Sequence, residues 1–246
     1  MLIPHETQSI PEEYLPFPTE ELSAFFNLVT QYGLDKFEIK IPDGESLDQR
    51  ADWRYVRVQR KHDRFAFGAT LSSGSGVAMF VSHLYYTIYT QPSDQVYPTD
   101  VLDRMLLAFI ETTFHELTHV TQNLSDRLTL SRTGRTWWKP HGSPVSLPYR
   151  RPKSHKQYWD QPWEVEARQN QIKLTSEFIK DFSYDKDTSL SQVFNHLKDN
   201  YDHPPADSET CYEAYEPDTG FVLFQGMFSN DPFVTKMNIK ENDIAE

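Results

Sequence analysis

Residues 115–119 read His115-Glu116-Leu117-Thr118-His119, an H-E-x-x-H sequence inside a long stretch of regularly spaced apolar residues. In a helix, residues four positions apart lie one above the other, so His115 and His119 would present two imidazoles to the same point. Zinc binds imidazole nitrogen readily, and Glu116 lies where it could take a proton from a metal-bound water. The motif therefore predicts two zinc ligands and a general base.

The sequence around the motif predicts a helix over residues 99–124. Thr99 or Asp100 is a suitable N-cap, and apolar residues recur at spacings of three and four. The apolar stripe consists of Leu102, Met105, Leu106, Phe109, Ile110, Thr113, Leu117 and Val120. The histidines fall on the opposite face with Ala108 and Thr112, whose small side chains would leave room for a substrate. The alternative is a surface helix with a fortuitous histidine pair.

A catalytic zinc site needs a third protein ligand and one open position. The metzincin pattern would place Gly at position 122 and His at position 125, but Gln122 and Ser125 occupy them, which excludes that class. Downstream, Glu164 and Glu166 are the only glutamates between Glu116 and residue 176.

A second helix is predicted to begin near Asp160 and Pro162 and to run to about residue 183. Glu164 and Glu166 would lie early in it, pointing about 200° apart, so that only one could reach the metal. The other reading of Glu164 is an ordinary first-turn acid favoured by the helix dipole.

The combination of motifs over residues 99–172 resembles the gluzincin metallopeptidases. In several gluzincin families the third ligand is the Glu of an E-x-x-A-D sequence, and Glu164 to Ala167 matches that spacing. The resemblance implies a zincin-like fold with Glu164 as the third zinc ligand. Arg168 departs from it, because those families have an Asp there that would support one of the histidines. A Trp-Trp-Lys strand and the P-W-E-x-E-A sequence also resemble small, largely uncharacterised metallopeptidase-like proteins of tailed phages and their bacterial hosts.

The fold class expected from the whole chain is α+β. An N-terminal helix from Thr19 to Gly33 and a mostly antiparallel sheet would pack on the metal helix, followed by a mainly helical C-terminal part. The predicted strands are 36–41, 53–60, 64–71, 77–89, 135–139 and 221–224. Part of 77–90 is expected to offer its edge to a peptide. The parts of this single domain (1–246) are an extended arm (1–18), an N-terminal lobe (19–124), a basic connecting segment (125–159) and a C-terminal part (160–246).

The composition of the chain disfavours several classes of protein. No secretory signal is visible at the start, and the longest apolar run, Gly76 to Tyr89, is too short and too polar to cross a bilayer. Cys211 is the one cysteine, which excludes an internal disulfide and leaves a zinc site without thiolate ligands. We expect an intracellular protein, cytoplasmic or enclosed in a virion. The net charge of −12 and the lack of a recognised motif disfavour nucleic acid as a partner.

Basic residues concentrate between the two ligand segments. Residues 127–159 contain no Asp or Glu and carry eight positive charges, which leaves −20 on the rest of the chain. The eight cations are Arg127, Arg132, Arg135, Lys139, Arg150, Arg151, Lys153 and Lys156. They would form a positive rim suited to an acidic peptide substrate, or else pair with the protein's own acids.

The sequence is best interpreted as that of a zinc peptidase in which Glu116 activates water. Tyr158 is the predicted stabiliser of the developing oxyanion, ahead of His141, Tyr149 and His155. Two alternatives have no catalysis: a phage or host structural or binding protein that has kept or lost the metal, and a regulator that captures an acidic peptide without cutting it.

Overall fold

The computed structural model describes residues 7–9, 17–39, 47–52, 55–57, 68–73, 76–82, 99–130, 135–150, 155–202, 214–215 and 222–223. The helices are α1 (Thr19–Lys36), α2 (Thr99–Leu124), α3 (His155–Trp159), α4 (Pro162–Asp181) and α5 (Ser189–Asn200). The strands are β1 (Thr7–Ser9), β2 (Leu47–Asp52), β3 (Tyr55–Arg57), β4 (Gly68–Ser73), β5 (Gly76–Ser82), β6 (Leu128–Leu130), β7 (Thr136–Trp138), β8 (Leu147–Tyr149), β9 (Ala214–Tyr215) and β10 (Val222–Leu223). The described chain is therefore α+β, as predicted, and it is mostly helical.

Helix α2 has the predicted bounds, and more of its surface is buried than the one apolar stripe in its sequence indicates. Its predicted apolar stripe is buried from Met105 to Val120, and Ala108 on the opposite face is also buried, with 8% of its surface exposed. Helix α4 packs along α2, while α1, α5, β4 and β5 also contact it. The face expected to be an open cleft floor is thus partly covered by a second helix.

An aromatic core joins α1, α2, α4 and α5. Phe25 of α1 and Phe178 of α4 are fully buried and lie edge to face with ring centroids 6.1 Å apart. Phe178 also meets Phe114 of α2 at 5.9 Å and Phe194 of α5 at 5.7 Å. Such edge-to-face pairs stabilise the folded state in addition to the stabilisation that comes from burying apolar surface. This core fixes how α4 lies against α2.

Helix α1 continues beyond Gly33 to Lys36, so the prediction that Gly33 ends it was wrong. A Cβ at Gly33 would lie 2.5 Å from Leu117 Cδ1 in the middle of the H-E-x-x-H sequence. The glycine therefore serves a close approach of two helices and not a helix end. Because Lys36 is helical and Phe37 and Glu38 form a turn, the strand predicted over 36–41 is also wrong for its described part.

The first sheet has the strand order β2-β5-β4. Strand β5 pairs antiparallel with β4 and parallel with β2, which is the one parallel pairing among the described strands. Strand β2 was not predicted, because its sequence, LDQRAD, lacks apolar alternation. The expected free edge within 77–90 is wrong for residues 76–82, since β5 is hydrogen-bonded on both sides.

A second sheet, β6-β7-β8, forms in the basic connecting segment. The predicted strand over 135–139 is confirmed as β7, and Pro148 lies within β8 opposite Trp137. An edge strand tolerates proline because one side of its backbone needs no partner. Helix α3 was not predicted at all.

The terminal regions are described only in part. The predicted N-terminal arm contains β1, which pairs with β3, and Phe17, which is buried. Thr188 caps α5 by accepting a hydrogen bond from the Ser191 backbone N–H. Cys211 and the C-terminal tail lie outside the described residues. Within the described residues, no helix has the length and apolar character that a membrane crossing requires.

Candidate metal centre

Helices α2 and α4 bring three predicted ligand side chains together. His115 and His119 lie one turn apart on α2, with their Nε2 atoms 3.2 Å apart. Glu164, in the first turn of α4, places Oε2 3.3 Å from His115 Nε2 and Oε1 3.5 Å from His119 Nε2. The result is a buried His-His-Glu cluster that could hold a metal ion.

The spacing of the donor atoms fits a zinc ion. Ligand atoms about 2.0–2.1 Å from zinc at the corners of a tetrahedron lie about 3.3–3.4 Å from one another. The two Nε2 atoms are 3.2 Å apart, and each lies close to a different oxygen of Glu164, His115 at 3.3 Å from Oε2 and His119 at 3.5 Å from Oε1. Two imidazole nitrogens and one carboxylate also form one of the ligand sets of catalytic zinc, which leaves the fourth position open.

Glu166, the alternative third ligand, belongs to a different interaction. Its two carboxylate oxygens accept hydrogen bonds from Arg127 Nη1 and Nη2 at 2.8 and 2.7 Å. This bidentate pair directs Glu166 away from the histidines, as its position on the helix indicated. Glu164, only 2% exposed, is the carboxylate in the cluster.

Both histidines are held on their far side by glutamine. His119 Nδ1 lies 2.8 Å from Gln122 Oε1, and His115 Nδ1 lies 3.1 Å from Gln171 Oε1. Sequence reasoning missed both amides. Gln122 follows His119 by three residues, and Gln171 follows Glu164 by seven, so helical spacing alone could have placed each on the same face as its neighbour.

Arg168 occupies the position at which the gluzincin pattern has a carboxylate. Its Nη1 donates to the backbone oxygen of Trp159 at 2.9 Å, and its guanidinium lies 4.7 Å from the centre of the Trp159 ring. The side chain therefore ties α3 to α4. The support expected from residue 168 comes from the two glutamines instead.

Glu116 is buried and held by a threonine from the first sheet. Thr70 Oγ1 of β4 lies 2.8 Å from Glu116 Oε2 and 2.9 Å from the Glu116 backbone oxygen. The hydroxyl has one proton, so these two acceptors share it. Thr70 was not predicted, because nothing in the sequence indicates which strand meets α2.

The buried carboxylates and imidazoles shift one another's pKa values. Burial raises the pKa of the Glu116 carboxyl, against the opposing effects of His119, His115 and the Thr70 hydroxyl. Burial acts to lower the pKa of His119, but Glu164 and Glu116 outweigh it and raise that pKa to about 9. The pKa of Glu164 lies well below its usual range because the two histidines overcome the effect of its burial. Without a metal, His119 therefore carries a second proton at neutral pH.

The structure also describes several other residues that the sequence analysis singled out. Tyr158 is on α3 with 38% of its side chain exposed, and its oxyanion role stays a prediction. Of the basic residues, Arg127 binds Glu166 and lies 4.6 Å from the Trp138 ring centre, so it pairs with the protein's own acid. Arg135 and Arg150 are exposed. The side chains of Arg132, Arg151, Lys153 and Lys156 lie outside the description.

No family model, curated protein or solved structure matches this chain. The function is therefore inferred from the chemistry of the His-His-Glu cluster.

The cluster predicts that zinc binding at neutral pH releases about one proton, because His119 must lose its extra proton to become a ligand. The zinc affinity should rise with pH and level off above about pH 9, where His119 is already neutral. Isothermal titration calorimetry in buffers of different ionisation enthalpy measures the released proton. An apparent enthalpy that is the same in every buffer at neutral pH would contradict the shifted pKa.

Proposed function

We propose that this protein is a zinc-dependent peptidase with a zincin-like active site. His115, His119 and Glu164 would hold the metal, and Glu116 would act as the general base. The single observation that carries the proposal is the convergence of two imidazole nitrogens and one carboxylate in a buried cluster, where one donor atom from each residue lies within 4.8 Å of the others. A zincin-like fold, the phage association and a location in the cytoplasm or a virion remain proposals that follow from the sequence.

Charge balance supports a divalent ion. With neutral imidazoles, the carboxylates of Glu116 and Glu164 place two negative charges in a region where each residue is no more than 5% exposed. Buried charge is unfavourable unless it is paired, and one divalent cation would compensate both carboxylates. The donors are nitrogen and oxygen, which suit zinc, although carboxylate and imidazole ligands also serve other divalent metals.

The chain's own residues fit hydrolysis of an amide. A zinc ion held here would supply a Lewis acid and lower the pKa of a bound water towards neutrality. Thr70 holds one oxygen of Glu116, which leaves the other oxygen to take the water's proton and pass it to the leaving amine. The buried setting raises the pKa of Glu116 towards the range in which a carboxylate accepts and returns a proton efficiently. We propose a peptide substrate, with acidic sequences preferred through the exposed Arg150.

Changing Glu116 to Gln should leave zinc bound and reduce peptide cleavage at least about 100-fold, because the amide cannot take a proton. The measurement combines zinc content by mass spectrometry with the turnover of matched acidic and basic peptides.

We expect the wild type to cleave the acidic peptide faster than the basic one and to lose that preference at high salt.

Glu20→Gln, an exposed change on α1, is the matched control and should be fully active. Full activity of Glu116→Gln would remove Glu116 from the mechanism. A zinc-loaded wild type that cuts neither peptide would favour the non-catalytic scaffold or the peptide-capturing regulator.

Changing Thr70 to Val removes the hydroxyl and keeps the shape of the side chain. The pKa of Glu116 should rise, because the Thr70 hydrogen bond lowers it. The acid limb of the pH–kcat profile should therefore move to higher pH, and kcat should fall. Thr70→Ser restores the hydroxyl and should restore both values; identical profiles for the valine variant and the wild type would show that Thr70 does not act on Glu116.

A further inference from the structure

We infer that Gln122 and Gln171 are positioning residues that select which ring nitrogen of each histidine faces the metal. The inference rests on the metal site of the proposed function and not on peptide cleavage. Each amide oxygen would accept a hydrogen bond from the Nδ1–H of one imidazole, so that both Nε2 lone pairs point into the cluster. The second role of Gln122 is to tie His119 to the backbone beside Glu164.

The orientation of the Gln122 amide follows from its second contact. Gln122 Nε2 donates to the backbone oxygen of Trp163 at 3.1 Å, and the side chain is fully buried. A carbonyl oxygen only accepts, so the NH₂ group must face Trp163 and Oε1 must face His119. The Nδ1 atom of His119, 2.8 Å from that oxygen, must then carry the proton. The lone pair of the neutral ring is left on Nε2, the atom nearest Glu164.

Gln171 makes the corresponding contact from the other helix. It is 3% exposed, and its Oε1 lies 3.1 Å from His115 Nδ1. Helix α4 thus supplies both the ligand Glu164 and the amide that holds His115. Helix α2 supplies His119 and the amide bonded to the residue preceding Glu164. Each helix therefore braces a ligand region of the other.

Neutral amides also suit the charge of this centre. The two negative charges of Glu116 and Glu164 already balance the charge of one divalent cation. A carboxylate at position 122 or 171 would add a buried negative charge without a partner. An amide oxygen accepts the imidazole proton and adds no net charge. In many metal sites a carboxylate accepts the hydrogen bond from the metal-bound histidine. The charge of this centre explains why a glutamine takes that place here.

The test uses the full chain, zinc and two near-isosteric variants, Gln122→Met and Gln171→Met. Gln192→Met, an exposed change on α5, is the matched control. Nuclear magnetic resonance of the zinc-loaded protein with ¹⁵N-labelled histidine identifies the ring nitrogen that carries the proton. Competition with a chromogenic chelator measures the dissociation constant for zinc.

We expect two exchange-protected Nδ1–H signals in the wild type and in the control. Gln122→Met should lose the protection of the His119 signal, Gln171→Met that of His115, and each should weaken zinc binding about 10–100-fold. Should Gln122→Met fail to fold, the Gln171→Met variant decides by the same two measurements.

Protons found on Nε2, or zinc affinities within twofold of the wild type in both variants, would overturn the inference. A wild type that binds no zinc would overturn it as well. If the signals and affinities behave as expected but no peptide is cleaved, the proposed peptidase function fails and the inference about the glutamines holds.

Discussion

The structure depends on two buried carboxylates beside the two imidazoles of α2, one from Glu164 on α4 and one from Glu116 on α2 itself. Glu116 and Glu164 are 5% and 2% exposed, and burying a carboxylate is unfavourable unless hydrogen bonds or opposite charge compensate for it. Glu164 has that compensation from both histidines, and Glu116 has a hydrogen bond from Thr70. Removing one partner would leave an uncompensated charge in the core, so these groups constrain one another's positions.

The helices are held together by contacts on either side of this polar centre. The Arg127–Glu166 pair and the Gln122–Trp163 hydrogen bond join the C-terminal part of α2 to the start of α4. Further along, Phe114 and Phe178 pack edge to face within the aromatic core. With both sides fixed, the donor atoms can be held within a few tenths of an ångström of the spacing that a tetrahedral ion requires. The packed apolar core holds both helices in place, so the ligands of the small polar centre are already positioned before a metal ion binds.

Much of this arrangement could be predicted because it depends on helical periodicity. The spacing of His115 and His119, the bounds of α2, and the Pro162 start of α4 are all local properties of the sequence. The choice of Glu164 over Glu166 followed from a family resemblance, and the structure places Glu164 in the cluster. The α+β class followed from the order of patterned segments.

What could not be predicted depends on contacts between distant segments. Thr70 lies 46 positions from Glu116, and no sequence pattern specifies that pairing. Strand β2 was missed because its parallel pairing with β5 does not require apolar alternation in its own sequence. Gly33 was misread because its role is to admit Leu117, a constraint set by a helix far along the chain. Helical spacing places Gln171 on the same face of α4 as Glu164, but its contact with His115 on another helix could not be predicted.

Zinc-edge X-ray absorption of the zinc-loaded protein shows directly whether His115, His119 and Glu164 bind one metal ion together. We expect one tightly bound zinc per chain, with nitrogen and oxygen at about 2.0–2.1 Å and the scattering pattern of two imidazoles. A sulfur shell at about 2.3 Å, a single imidazole, or no stoichiometric zinc would contradict it.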